Sequence, residues 1–282
     1  MPIQLSQITH AQKRGGGAFS VKAIDLQKFG ERASPVLVLD DFRVSGRPFP
    51  PHPHAGFSAV TYIFEDSPGS LRSRDSLGND MVTAPGGIVW TQTGSGLIHE
   101  EVPADLDCEL HGLQIFVNLS SQNKVAPPKV LRLQNSHVPE WRNAAGDRVR
   151  VVVGSFEGTV SPLEPAEPFT LLDVELRREI SFKLPSDHNA IVYVLAGDAM
   201  VRAEARRQAL SGEQALVVYG GSGRVTVETA HPAHLLILSG VEIREPVFVE
   251  GSFIMNNRSQ IEAAVARYRA GGMGRLKPLS EG

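Results

Sequence analysis

The chain has 282 residues, 41% hydrophobic and 21% charged, enough apolar material for two domains of ordinary size or one large one. A net charge of −3 with no long basic run gives no electrostatic footprint for direct nucleic-acid contact. No apolar run approaches membrane-spanning length, the opening Met1-Pro2-Ile3-Gln4-Leu5 lacks the layout of a signal peptide, and the single Cys108 allows no internal disulfide; a cytoplasmic location is expected.

Along the chain, Gly15-Gly16-Gly17 lacks the Lys-Ser/Thr and helix of a phosphate loop and reads as a flexible or tight-turning loop. Short runs rich in Val and Ile, separated by turn residues, predict strands over 36–41, 58–64, 81–83, 88–91, 112–118, 149–154, 170–176, 190–195, 215–219, 225–228 and 235–239. Residues 75–80 (DSLGND) predict a turn flanked by Arg72 and Arg74 as surface charges. Residues 124–146, with Pro127-Pro128 and Pro139, break the rhythm and are expected to be a linker. One helix is expected over 259–270, opened by a Ser259/Glu262 capping box, carrying an Ile261, Val265 and Tyr268 stripe, and stopped by Gly271-Gly272. The fold class is therefore all-β, sandwich or barrel, with a short C-terminal helix. A faint echo of the first half in the second suggests duplication, dividing the chain into 1–138 and 139–282.

The chemistry concentrates in two clusters, His52-Pro53-His54 and His99-Glu100-Glu101. On a strand, residues i and i+2 share a face. His52 and His54 therefore project together, as do His99 and Glu101, and two facing strands would supply three imidazoles and a carboxylate. Such a set suits Fe, Mn, Co, Ni, Cu or Zn and can leave positions open for water or substrate. Glu100 points the other way and is expected to be solvated or to lie behind the ligands. Phe49, Phe57 and Trp90, near the ligands in sequence, are core aromatics or the walls of an apolar pocket for a flat substrate. The second half has only isolated histidines (His188, His231, His234), so its barrel is expected to hold no metal. His10, His111 and His137 read as structural, and Cys108 as a small buried residue.

The order H-x-H, Pro-x-Gly, His resembles the cupin signature. The strings HPHAGFSAVTY, RDSLGND, TGSGLIHEEVP and HGLQIFVNL, with EPVFVEGSFIMNNRSQIEAAVARYRAGGMGRL near the end, resemble the pirin family. The resemblance implies a bicupin, two stacked cupin-type barrels (double-stranded β-helices), the N-terminal one binding a single iron through His52, His54, His99 and Glu101. An octahedral site completed by water is expected, iron being favoured over Ni, Co, Mn, Cu or Zn. The resemblance also implies quercetin 2,3-dioxygenase activity: a flavonol chelates the metal, Glu101 accepts the hydroxyl proton as general base, and O2 attacks. The alternative it implies is an iron- and redox-dependent transcriptional cofactor that binds a protein partner. The chain departs from the pattern at Ser58, where general cupins carry Glu, and at Ala55 and Ser73, where many pirins carry Arg and His. The last two changes are expected to alter the pocket rim.

Overall fold

The computed structural model describes residues 2–279. With 53% strand and 10% helix it is nearly all β, as expected, and a parallel doubly wound sheet is excluded. The anticipated strands are present and mostly longer: 36–41 is part of Val36–Val44, 112–118 of Leu110–Asn118, and 235–239 of Ala233–Val241. Four further strands carry too much charge to read from composition: Leu71–Asp75, Glu179–Leu184, Asp198–Ala203 and Arg206–Ser211. In Asp198–Ala203 the buried positions are Ala199, Val201 and Ala203, a two-residue period hidden among polar neighbours. Gly15-Gly16-Gly17 makes the tight bend between strands Thr9–Gly16 and Phe19–Ile24, with Gly15 at φ 77°.

The described residues form two compact units that exchange segments. The first, called the site unit here, comprises Lys13–Val21, Val38–His137 and the chain from Ile243 onward. The second comprises the chain up to Gln12, Lys22–Leu37 and Val138–Glu242. One crossing falls between His137 and Val138, and the C-terminal segment groups with Val38–His137. Its helix, Arg258–Arg269, buries Ile261 and Ala264 in a cluster with Ala55, Phe253, Met255 and Met273. Burial of that apolar stripe fixes the segment on the site unit.

The site unit has two antiparallel layers. The larger runs, in order, through strands Lys129–Leu133, Ile88–Gln92, Phe57–Ile63, Leu110–Asn118 and Val36–Val44. The smaller runs through His52–His54, Leu97–Pro103, Leu71–Asp75 and Asp80–Thr83. The expected linker is thus partly a strand, because Lys129–Leu133 completes the larger layer by pairing with Ile88–Gln92. The second unit also has two layers. One contains Gln214–Tyr219, His188–Ala196, Ala233–Val241, Phe169–Leu176 and Arg148–Val153, and the other Glu179–Leu184, Gly223–Glu228, Asp198–Ala203 and Arg206–Ser211. Its interior is filled by an apolar cluster that includes Val192, Leu216, Val227, Leu235 and Ile237.

Two local expectations need correction. The helix cap is Asn257, not Ser259: the Asn257 Oδ1 accepts from the Gln260 N–H at 2.9 Å and from Ser259 Oγ at 2.7 Å. Asn257 holds the extended backbone a cap requires, whereas Ser259 is already in the first turn. Cys108 is half-buried, not buried, with its thiol beside Asp105, whose charge pushes the thiol pKa up. Among the described residues no helix is long and apolar enough to cross a membrane.

Candidate metal centre and its cavity

Pro53 can donate no ladder hydrogen bond, and His52–His54 accordingly lies at the edge of the smaller layer, paired on one side only. There His52 stands opposite His99, and His54 opposite Leu97. The i, i+2 spacing sends both imidazoles inward to meet that of His99. The ring centroids lie 4.7 Å apart for His52–His54 and 4.8 Å for the His52–His99 and His54–His99 pairs, all edge-on. Their ligand atoms fall within 4.8 Å of one another, a group able to hold a metal ion.

The electrostatics prepare His54 and His99 as lone-pair donors. Burial, then the neighbouring His52, push the His54 pKa down to about 3, while the Ser252 carbonyl at 3.4 Å from its Nδ1 acts in the opposite sense. Burial, followed by His54 and His52, holds His99 well below the ordinary imidazole range. Neutral imidazoles are what metal ligation needs. His52 Nδ1 lies 2.9 Å from the Pro50 carbonyl and His54 Nδ1 faces Ser252, which leaves Nε2 of each ring for the centre. His99 Nδ1 is buried with no hydrogen-bond partner among the described residues. Buried, unprotonated and partly unsatisfied nitrogens fit a bound cation far better than they fit an empty polar pocket.

Glu101 shares the cavity but not the tight imidazole group. Its Oε2 accepts the Thr61 hydroxyl at 2.5 Å. Burial raises its pKa to about 7, against the Thr61 hydrogen bond and the positive charge of Arg132. Glu100 is not solvated: it is buried on the opposite face of its strand and accepts from Arg74 Nη1 at 2.7 Å. Arg74 is correspondingly mostly buried and also donates to the Lys277 carbonyl, while Arg72 remains near the surface on Asp80.

The cavity measures about 220 Å³ and is mainly apolar. Of the three aromatics singled out by sequence, only Phe49 lines it; it is 42% exposed and packs edge-on with Phe19 at 4.9 Å. Phe57 is buried behind the cavity, between His54 at 5.1 Å and Phe116 at 4.5 Å, and Trp90 is buried in the larger layer outside the lining. Ala55 and Ser73 are buried too and touch no rim; Ala55 lies beneath Phe253, to which it bridges. Sequence reasoning missed Asp40, Phe42, Gln114 and Phe116, which enter from the larger layer. Their only sequence signal is the alternation of Asp40 with Phe42, and Gln114 with Phe116, on two strands.

The C-terminal segment braces the site. Gly56, at φ 86°, lets the chain pass so close that a Cβ there would meet the Ile254 carbonyl oxygen at 1.9 Å. The fully buried Lys124 donates to the Gly56 carbonyl at 2.7 Å, Asn118 Oδ1 at 2.5 Å and the Ile254 carbonyl at 3.2 Å. Elsewhere, His111 is held by Asp41 at 2.9 Å, and His234 by Asp173 at 2.5 Å.

Two β-barrel units, one with converging histidines in an apolar cavity, define a bicupin of metal-site type. The chain belongs to the pirin family: residues 6–117 match the Pirin profile and 171–274 the Pirin C-terminal cupin domain. It is 33% identical over 255 residues to a Pseudomonas aeruginosa protein provisionally named a quercetin 2,3-dioxygenase, covering 86% of this chain and 87% of that one. It is 30% identical to the pirin of Homo sapiens over 273 residues, 95% of this chain and 92% of the relative. Its fold matches the crystal structure of quercetin 2,3-dioxygenase from Acinetobacter baumannii at a TM-score of 0.84 and 23% identity, covering 98% of this chain and 100% of that one.

Proposed function

We propose that His52, His54, His99 and Glu101 hold one transition-metal ion, iron first among the candidates, and that the protein is an oxygenase of the quercetin 2,3-dioxygenase type. The observation that carries this reading is the convergence of three imidazoles, two of them buried and held neutral, on one point of an apolar cavity. The name of the Pseudomonas aeruginosa relative adds support for the substrate class.

When bound, the metal supplies Lewis acidity toward a chelating hydroxyl–carbonyl pair and a site at which O2 chemistry is promoted. The chain's own residues do the rest. Glu101 accepts the substrate hydroxyl proton, and Thr61 holds its Oε2 in place for that transfer. The Ser252 and Pro50 carbonyls orient His54 and His52. The apolar walls exclude water and keep the electrostatic interactions strong. At about 220 Å³ the cavity is smaller than the roughly 300–1,000 Å³ of drug-sized ligand sites, so it encloses the chelating end of a flavonol and leaves the rest to extend past Phe49.

Incubation of iron-loaded protein with quercetin, following loss of the flavonol band and O2 uptake together, tests the proposal. Turnover well above that of free iron is expected. Turnover equal to free iron, with the metal still bound, would overturn the enzyme reading and leave a protein-partner role for the same centre.

A further inference from the structure

Six polar side chains border the cavity. His52, His54, His99 and Glu101 come from the smaller layer, and Asp40 and Gln114 from the larger. Gln114 is already committed: its Nε2 donates to the Val60 carbonyl at 3.0 Å and its Oε1 lies 3.2 Å from Thr61 Oγ1. Asp40 is not. It projects inward from Val36–Val44 on the same face as Phe42 and Val44, and no hydrogen bond to its carboxyl is made by another described residue. The nearby positive charge of Arg14 only partly offsets its burial, and its pKa is pushed up to about 6.

A carboxyl placed in an apolar wall without a donor is costly unless something hydrogen-bonds to it. No such cost arises for the cavity's other polar groups, which either face the metal position or are bonded to protein. We infer that Asp40 is a specificity residue: it accepts a hydrogen bond from a second hydroxyl of the substrate, one carried on the enclosed end but separate from the chelating pair. The inference rests on the flavonol reading above and narrows it. The preferred ligand carries a hydroxyl–carbonyl chelating pair at one end and a separate phenolic donor that reaches the larger layer. In so small a cavity polar contacts are few, so this one contributes strongly to discrimination between flavonols.

Equilibrium binding under anaerobic conditions, read by flavonol absorbance and fluorescence, tests this with metal-loaded wild type, Asp40→Asn and Asp40→Ala. The probes are 3-hydroxyflavone, which carries only the chelating pair, and quercetin, which adds hydroxyls at both ends. Wild type is expected to bind quercetin about tenfold or more tightly than 3-hydroxyflavone, the effect of one hydrogen bond to a charged group. In Asp40→Ala the two affinities converge through loss of quercetin binding, while 3-hydroxyflavone and the metal content stay as in wild type. Asp40→Asn, close in shape, keeps the fold and shows an intermediate ratio. An unchanged ratio in both variants overturns the role of Asp40 alone. Loss of metal from both variants overturns it as well, since Asp40 would then act on the centre itself. Failure of either flavonol to bind wild type removes the functional reading, and the inference with it.

Discussion

The Thr61 hydroxyl lies 2.5 Å from Glu101 Oε2, while the same oxygen of Thr61 is 3.2 Å from Gln114 Oε1. Thr61 has one proton to give, and the shorter contact goes to the carboxylate. Burial raises the Glu101 pKa to about 7, and the Thr61 hydrogen bond, with the charge of Arg132, favours the charged, proton-accepting form without cancelling that rise. Thr61→Val preserves shape and removes the donor. The metal-free variant is expected to lose about 1–3 kcal/mol in urea unfolding at neutral pH, with Thr61→Ser recovering it. With iron bound and quercetin as substrate, kcat should fall more than KM rises.

The imidazole cluster makes a sharper prediction. Each ring is one of few ligands, so His54→Ala or His99→Ala should reduce bound metal after purification and dialysis to below about a tenth of the wild-type content. The circular dichroism spectrum should stay that of an all-β protein, because the two layers are paired along many strands away from these positions. Equal metal content in wild type and both variants would remove the assignment.

Lys124 and Gly56 tie the C-terminal segment to the histidine strand. Lys124→Ala leaves the Gly56 and Ile254 carbonyls and Asn118 Oδ1 without their buried donor. A loss of about 2–4 kcal/mol is expected, read by urea unfolding of the metal-free protein. Gly56→Ala should be at least as damaging, since its Cβ would have to displace the Ile254 carbonyl from 1.9 Å. Both variants should loosen the segment bearing the Ser252 carbonyl and weaken metal retention. Wild-type stability in either variant would show that the segment does not brace the site.

The convergence of the three imidazoles was legible in the sequence because its information is local. H-x-H and H-x-E each place two side chains on one face of a strand, and the pairing of His52 with His99 then follows from two adjacent strands. The cavity wall is not local. Asp40 and Gln114 reach it through strand order in the larger layer, which no spacing within either strand reveals. Phe57 and Trp90 show the converse: nearness in sequence to a ligand says nothing of which side of a layer a ring occupies. The C-terminal helix could be placed by its stripe and its glycine stop, but nothing in it signals which unit its apolar face covers.

The last prediction concerns the second unit. Asp147 is fully buried and caps a turn. Its Oδ1 accepts the Arg177 and Arg178 N–H groups at 2.6 and 2.8 Å, and its Oδ2 accepts Asn143 Nδ2 at 2.8 Å. Burial raises its pKa, but these hydrogen bonds more than reverse that, and the folded-state value is lowered. A carboxyl with a depressed folded pKa contributes stability that is complete above its unfolded value of about 3.9 and is lost as pH falls through the folded value. Asp147→Asn keeps the shape but weakens the acceptor and sets its amide against backbone donors. At neutral pH it should cost about 1–3 kcal/mol of unfolding free energy. As pH falls below about 4 the wild type loses the same contribution, so the two unfolding curves should draw together there. A difference between wild type and Asp147→Asn that stays constant down to acid unfolding would show that the charge of Asp147 has no part in holding the turn.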